Sequence, residues 1–120
     1  MVSIDPTKPV LFIGAAAELL RVHPRTLRIY EQEKLVMPTR NPGNRRLYSL
    51  DDLRKVQFVR YLTQVKGVNL AGVRIILDML EELKKHGVDY VKVLRPEEYE
   101  ELGAIPTSRR YRKRKSRKTK

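Results

Sequence analysis

The segment Arg21-Val22-His23-Pro24-Arg25-Thr26-Leu27-Arg28-Ile29-Tyr30-Glu31 limits the fold more than any other part of the chain. Proline fixes φ near the helical value and lacks the N–H that a first-turn residue leaves unpaired, so Pro24 suits the first position of a helix and not its interior. Ahead of it, Gly14-Ala15-Ala16-Ala17-Glu18-Leu19-Leu20 is rich in helix formers and nearly free of β-branching, which predicts a first helix of about two turns. Arg21-Val22-His23 is left as the connection. In the second helix Arg25 and Arg28 lie three apart on one face, while Leu27 and Tyr30 form another that suits a core. Two short helices joined by about three residues, the second opening on a guanidinium edge, form a helix-turn-helix pattern whose second helix fits a DNA major groove. Helical hairpins with no nucleic-acid role share that pattern, so the rest of the chain has to decide.

The second helix is expected over 24–33, followed by an apolar plug, Leu35-Val36-Met37. Pro42-Gly43-Asn44 is turn chemistry, and the short segments beside it predict a β-hairpin over 38–48 with Arg40, Arg45 and Arg46 near its loop. A basic hairpin directly after such a helix reads as a wing on the phosphate backbone or minor groove; an ordinary basic surface hairpin is the plain alternative. Ser49 is a good N-cap with Asp51 and Asp52 in the first turn. Leu53, Val56, Val59, Leu62 and Val65 recur every three residues, predicting one amphipathic helix that ends at Lys66-Gly67. Asn69 caps a further helix with a core face of Leu70, Val73, Ile76, Leu77, Leu80 and Leu83. Ile75 and Met79 lie outside that face and fit either the core or a partner subunit.

Residues 1–11, with Pro6 and Pro9, are expected to form an irregular lead-in, with Phe12-Ile13 briefly extended. Residues 12–85 then make the folded domain, 86–106 a short segment with an acidic helical stretch from Pro96 to Gly103, and 107–120 a basic tail too polar to build a core and expected to be disordered. The fold class is mainly α: a winged helix-turn-helix with a small hairpin wing, a short helical segment and the tail. No internal repeat stands out.

Charge follows the same division. The formal net charge is +12, and residues 109–120 hold nine of the 26 Lys and Arg with no acid. Residues 21–60 carry ten basic residues against four acids, whereas 61–108 carry six against eight. Positive charge in one block and one tail is the arrangement expected when a face and an arm meet a polyanion. With no cysteine, disulfides, thiolate metal sites and thiol redox sensing are excluded. His23 and His86 make no metal cluster, and no nucleophile–base pattern, phosphate loop or inward carboxylate pair is visible; no enzyme, metal or cofactor is expected. No apolar run reaches the roughly 18 residues a membrane helix needs. The opening residues lack the regions of a signal peptide, so a cytoplasmic, nucleoid-associated location without membrane contact is expected.

The candidate DNA contacts are Arg25, Thr26, Arg28, Tyr30, Arg40, Arg45, Arg46, Tyr48 and Arg54. Arginine reads guanine bidentately or clamps phosphate, and the sequence does not apportion these roles. Thr26 suits a base methyl, a phosphate or the first helical turn. Tyr30 fits the core as well as a phosphate. Arg45 and Arg46 suit the backbone from the wing, Arg40 and Arg54 less directly, and Tyr48 suits an anchor for the wing with a hydroxyl near phosphate. His23 occupies an N-cap position for which it is a mediocre residue, and reads as a turn residue or a phosphate contact. The tail is expected to add sequence-independent, salt-sensitive affinity. Two other readings stay open: an RNA- or ribosome-binding protein acting through the tail, and a protein-interaction adaptor.

Arg25-Thr26-Leu27-Arg28-Ile29-Tyr30-Glu31, Leu35-Val36, Pro38, Arg46-Leu47-Tyr48-Ser49 and Asp51-Asp52-Leu53, in that order, resemble the signature of MerR-type transcriptional regulators. His23-Pro24 and Gly67-Val68-Asn69-Leu70-Ala71-Gly72 resemble its HspR heat-shock repressor branch most. The resemblance covers residues 12–83. It implies a winged helix-turn-helix, a homodimer on an inverted-repeat operator in double-stranded DNA, and, for the branch, repression of chaperone operons with a DnaK-type chaperone as co-repressor. Ile29 departs from it, since many members carry a second aromatic there. Gly87, Pro96, Gly103 and Pro106 argue against the long dimerisation helix of metal-sensing members.

Overall fold

In a computed structural model the structure describes residues 4–88. The expected acidic segment after Pro96 and the basic tail 109–120 lie outside the described residues. The order of elements is β1 (Leu11–Phe12), α1 (Ile13–Leu20), α2 (Pro24–Gln32), β2 (Thr39–Arg40), β3 (Arg46–Tyr48), α3 (Leu50–Arg60), a π-helical turn (Tyr61–Val65) and α4 (Leu70–Lys85).

The turn between α1 and α2 is made by Arg21, a non-glycine residue at φ 60, with the Val22 N–H donating to the Ala17 carbonyl. That left-handed residue stops α1 and redirects the chain. The carbonyl of Leu20, orphaned by the end of α1, accepts from Arg60 Nη1 at 3.1 Å, so α3 holds the first helix from behind. His23 is a working cap: its Nδ1 accepts the Arg25 N–H at 3.0 Å. The expectation of a plain turn residue is thereby corrected, because an accepting imidazole nitrogen does what a Ser or Asn oxygen does elsewhere. Lys34 at φ 60 ends α2, with Leu35 N donating to Tyr30 O at 2.8 Å, and this turn drives Leu35 and Val36 into the core.

The wing has a third strand. β2 and β3 pair antiparallel as expected, with Arg40 opposite Arg46, and β1 adds to the other edge of β3, pairing Leu11 with Tyr48 and Phe12 with Leu47. The lead-in is correspondingly less irregular than its prolines suggested: Val10 N donates to Tyr48 O, and Asp51 N to Pro6 O. In the hairpin turn the left-handed position belongs to Asn44, at φ 65, and the Asn41 side chain accepts the Arg45 N–H.

Ser49 caps α3 through a full capping box, its hydroxyl accepting from Asp52 N at 3.0 Å and Asp52 returning the bond to Ser49 N at 2.9 Å. In place of the single long helix predicted after this cap, the chain forms an α-helix that widens into a π turn at Tyr61. Lys66 N reaches the Tyr61 carbonyl, and Thr63 Oγ1 donates to the Arg60 carbonyl. Tyr61 and Leu62, at the start of that turn, are buried as the stripe requires, while Val65 at its end, placed on the core stripe by its spacing, is exposed. Gly67 at φ 71 then stops the segment, and Asn69 Oδ1 caps α4.

The core joins Ala16, Ala17 and Leu20 of α1, Leu27 and Tyr30 of α2, Leu35, Val36, Tyr48, and Leu53, Val56 and Val59 of α3. From α4 only Val73 is fully buried; Leu70, Ile76, Leu77 and Leu80 pack partly against the cluster. Leu83, expected on the core face, is exposed together with Ile75 and Met79.

Candidate nucleic-acid interface

The burial of Leu27 and Tyr30 fixes how α2 is turned. It presents Arg25 and Arg28 outward, both exposed. Among the described residues neither has a carboxylate within ion-pairing distance, so their positive charge and donor forks are available to an anion or a guanine edge. Thr26 is half-buried in the first turn, where its N–H donates to the His23 carbonyl.

Beside α2 lies the wing, and one carboxylate joins them. Glu31, in the last turn of α2, accepts from Arg46 Nε at 2.6 Å and from Arg40 Nη2 at 3.0 Å, one oxygen for each strand of the hairpin. Its side chain is only 17% exposed. Burial by itself raises the Glu31 carboxyl, but the hydrogen bonds from Arg46 and Arg40 outweigh it, and the group sits below its ordinary value. Arg40 also donates through Nη1 to the Asn44 carbonyl, bracing the hairpin turn.

Arg45 is held differently. Its guanidinium lies 4.3 Å from the centre of the exposed Phe12 ring, a cation–π contact that leaves its N–H groups free of any acid among the described residues. Arg54 pairs with Asp51 on its own helix at 3.0 Å.

The two tyrosines belong to the core. Tyr30 is buried; burial raises its pKa, against a side-chain hydrogen bond with Thr63 and the charge of Arg60. Tyr48 is 0% exposed, and its hydroxyl is buried, so the anchoring half of its expected role fits and the phosphate-facing half does not. The alternation in Leu47-Tyr48 is real, but Tyr48 belongs to the buried cluster that includes Ala16, Ala17 and Leu20 of α1, which the hairpin alone does not reveal.

The structure thus brings Arg25, Thr26 and Arg28 together on α2, joins Arg40 and Arg46 to that helix through Glu31, sets Arg45 beside Phe12, and pairs Arg54 with Asp51 on α3. Glu31 and Phe12 were not singled out by the sequence. A further arginine, Arg74 of α4, donates through Nη1 to the Glu33 carbonyl at 2.9 Å and so closes the C-terminal end of α2. No grouping of three or more His, Asp or Glu able to hold a metal ion occurs among the described residues, and no helix among them is long and apolar enough to cross a membrane.

The family model for MerR helix-turn-helix regulatory proteins matches residues 12–80. The chain belongs to that family. It is similar to a putative heat shock protein HspR of Streptomyces coelicolor, 42% identical over 71 residues that cover 59% of this chain and 47% of the relative. The transcriptional regulator GlnR of Bacillus anthracis is 40% identical over 73 residues, 61% of this chain and 56% of that one. The transcriptional regulator ZntR of Escherichia coli is 30% identical over 93 residues, 77% and 65%. The chain spans about half the length of the first two curated relatives it matches.

Proposed function

We propose that the protein is a sequence-specific regulator of transcription that binds double-stranded DNA, with α2 in the major groove and the hairpin 38–48 on the flanking backbone. The observation that carries this is the outward pair Arg25 and Arg28, exposed and without acidic partners among the described residues, on a helix whose other face is locked in the core. Family membership and the names of the GlnR and ZntR relatives support the same reading over an RNA-binding, adaptor or enzymatic role. Arg25, Thr26 and Arg28 are the base and phosphate contacts, and Arg45 the backbone contact from the wing. Arg40, Arg46 and Arg54, each with an acidic partner, contribute less, and Tyr30 and Tyr48 serve the core.

A homodimer on an inverted repeat is the assembly we favour. Ile75, Met79 and Leu83, spaced four apart along α4 and 60%, 61% and 39% exposed, form an apolar stripe suited to a second subunit. The heat-shock name of the Streptomyces relative, with the resemblance in His23-Pro24 and in Gly67–Gly72, supports a repressor of a stress or chaperone operon, a DnaK-type chaperone as co-repressor, and a place in the cytoplasm on the nucleoid.

Selection of the full chain against a random double-stranded DNA library should enrich an inverted repeat. Arg28→Ala should then weaken binding to the enriched duplex by about 1–3 kcal/mol per lost base contact while changing scrambled DNA far less. Failure to enrich any duplex, or preference for RNA, contradicts the proposal; an enriched site without two-fold symmetry contradicts the dimer.

A further inference from the structure

Glu31 is an acid in a place where acids are costly. It stands on the helix proposed to face a polyanion, yet both of its carboxylate oxygens are taken by arginines of the wing. The geometry is specific: each carboxylate oxygen takes one arginine, and the two arginines sit opposite each other on β2 and β3. Arg40 further ties the same assembly to the Asn44 carbonyl in the turn. One side chain therefore links the recognition helix to both strands of the wing and to its tip. The remaining wing arginine, Arg45, is left to Phe12, outside the clamp.

We infer that Glu31 is a positioning residue for DNA recognition, fixing the wing against α2 and holding Arg40 and Arg46 out of phosphate contact. Phosphate contacts set the register of a protein on the duplex, and base contacts read sequence only in that register. If the wing moves relative to α2, Arg45 and the pair Arg25 and Arg28 cease to be satisfied by the same placement. Sequence discrimination then drops although no base-reading residue has changed. The clamp also leaves fewer free guanidinium groups on the short hairpin: Arg40 and Arg46 share the single negative charge of Glu31, so the cluster keeps a net charge of about +1 with one fork of each arginine already engaged.

This inference rests on the proposed DNA-binding function, and the experiment separates the two. The full-length protein is measured on its own enriched duplex and on a scrambled duplex of equal length, across a range of salt. If the parent protein itself tells the duplexes apart no better than chance, the function fails, and the inference with it. Given that the parent discriminates, Glu31→Gln should lower the discrimination ratio by about tenfold, the scale of one mismatched base pair. The same variant should bind scrambled DNA as tightly or more tightly, with a steeper salt slope, because each arginine released to a phosphate adds about 0.9 to that slope. An unchanged ratio or slope overturns the inference, as does a loss confined to one base position, which would make Glu31 a base reader. Arg46→Gln gives a second reading that does not require Glu31→Gln to fold. Already paired with Glu31, Arg46 should leave the salt slope unchanged when replaced while discrimination falls. A slope flatter by about 0.9 means that Arg46 itself holds a phosphate and overturns the clamp. Melting temperatures measured alongside serve as the control, since a merely structural ion pair moves stability and not the slope.

Discussion

Tyr48 sits wholly inside the core, and its hydroxyl has no hydrogen-bond partner among the described residues. An unsatisfied buried hydroxyl costs on the order of 1–3 kcal/mol, so Tyr48→Phe should stabilise the fold by about 1 kcal/mol and leave DNA affinity unchanged. The titration carries its own sign. Burial, and after it the Glu31 charge, push the Tyr48 phenol up to about 12 from 10.0. The folded chain thus keeps a proton that the unfolded chain releases. This contribution is complete below pH 10 and is lost as pH rises from about 10 toward about 12. Thermal melts of both proteins at pH 7 and pH 11 should show Tyr48→Phe ahead at neutral pH and further ahead at alkaline pH. A destabilised variant, or one with weaker DNA binding, would return the hydroxyl to the surface. At this scale the sequence was only half legible. Arg25 and Arg28 could be placed outward from spacing alone, because helical periodicity is local. Glu31 and Phe12 could not be assigned, because their partners come from elements 9 or more residues away whose packing no local pattern records.

Elements were read most reliably where a single residue dictates the backbone. Pro24, Ser49, Gly67 and Asn69 mark the ends of their helices as expected, each through a missing N–H, a side-chain acceptor or a left-handed φ. The π turn is not legible because regular spacing from Leu53 to Val65, with Phe58 and Tyr61 widening the stripe, is compatible with one continuous helix; Tyr61 and Leu62 are buried as that stripe requires, and only the exposed Val65 departs from it. Gly72 shows the same interplay at the start of α4. Its N–H donates to Asn69 Oδ1 at 2.8 Å, and a Cβ there would lie 2.7 Å from Val68 Cγ1 and 3.3 Å from Asn69 Oδ1. Val68 is β-branched and packed against the core, so its methyl has few alternative wells. In an open helix Gly→Ala gains about 1 kcal/mol. Here Gly72→Ala should instead lose about 1 kcal/mol, the usual worth of the cap it disturbs. Chemical denaturation is the check, and a net gain in stability would mean that Val68 yields freely.

Across the whole molecule, the order of helices and hairpin was legible because helix-turn-helix, wing and capped helical pair each carry local punctuation. The way they close on one another was not. The third strand, the Arg60 bond to Leu20, the Arg74 bond to Glu33 and the Glu31 clamp all join segments far apart in sequence, and together they hold α2 at one angle to the wing. Positive charge had suggested two routes to a polyanion, the folded face and the tail after residue 108. The structure supports the first through the rigid presentation of Arg25, Arg28 and Arg45. The measurement that separates these routes is an NMR titration of the full-length protein with its enriched duplex, following backbone amides at moderate salt. The account predicts that the largest shift changes fall on residues 23–31 and 39–46, in register with a saturating stoichiometry. Changes confined to residues 107–120, with α2 and the wing unmoved, would contradict it.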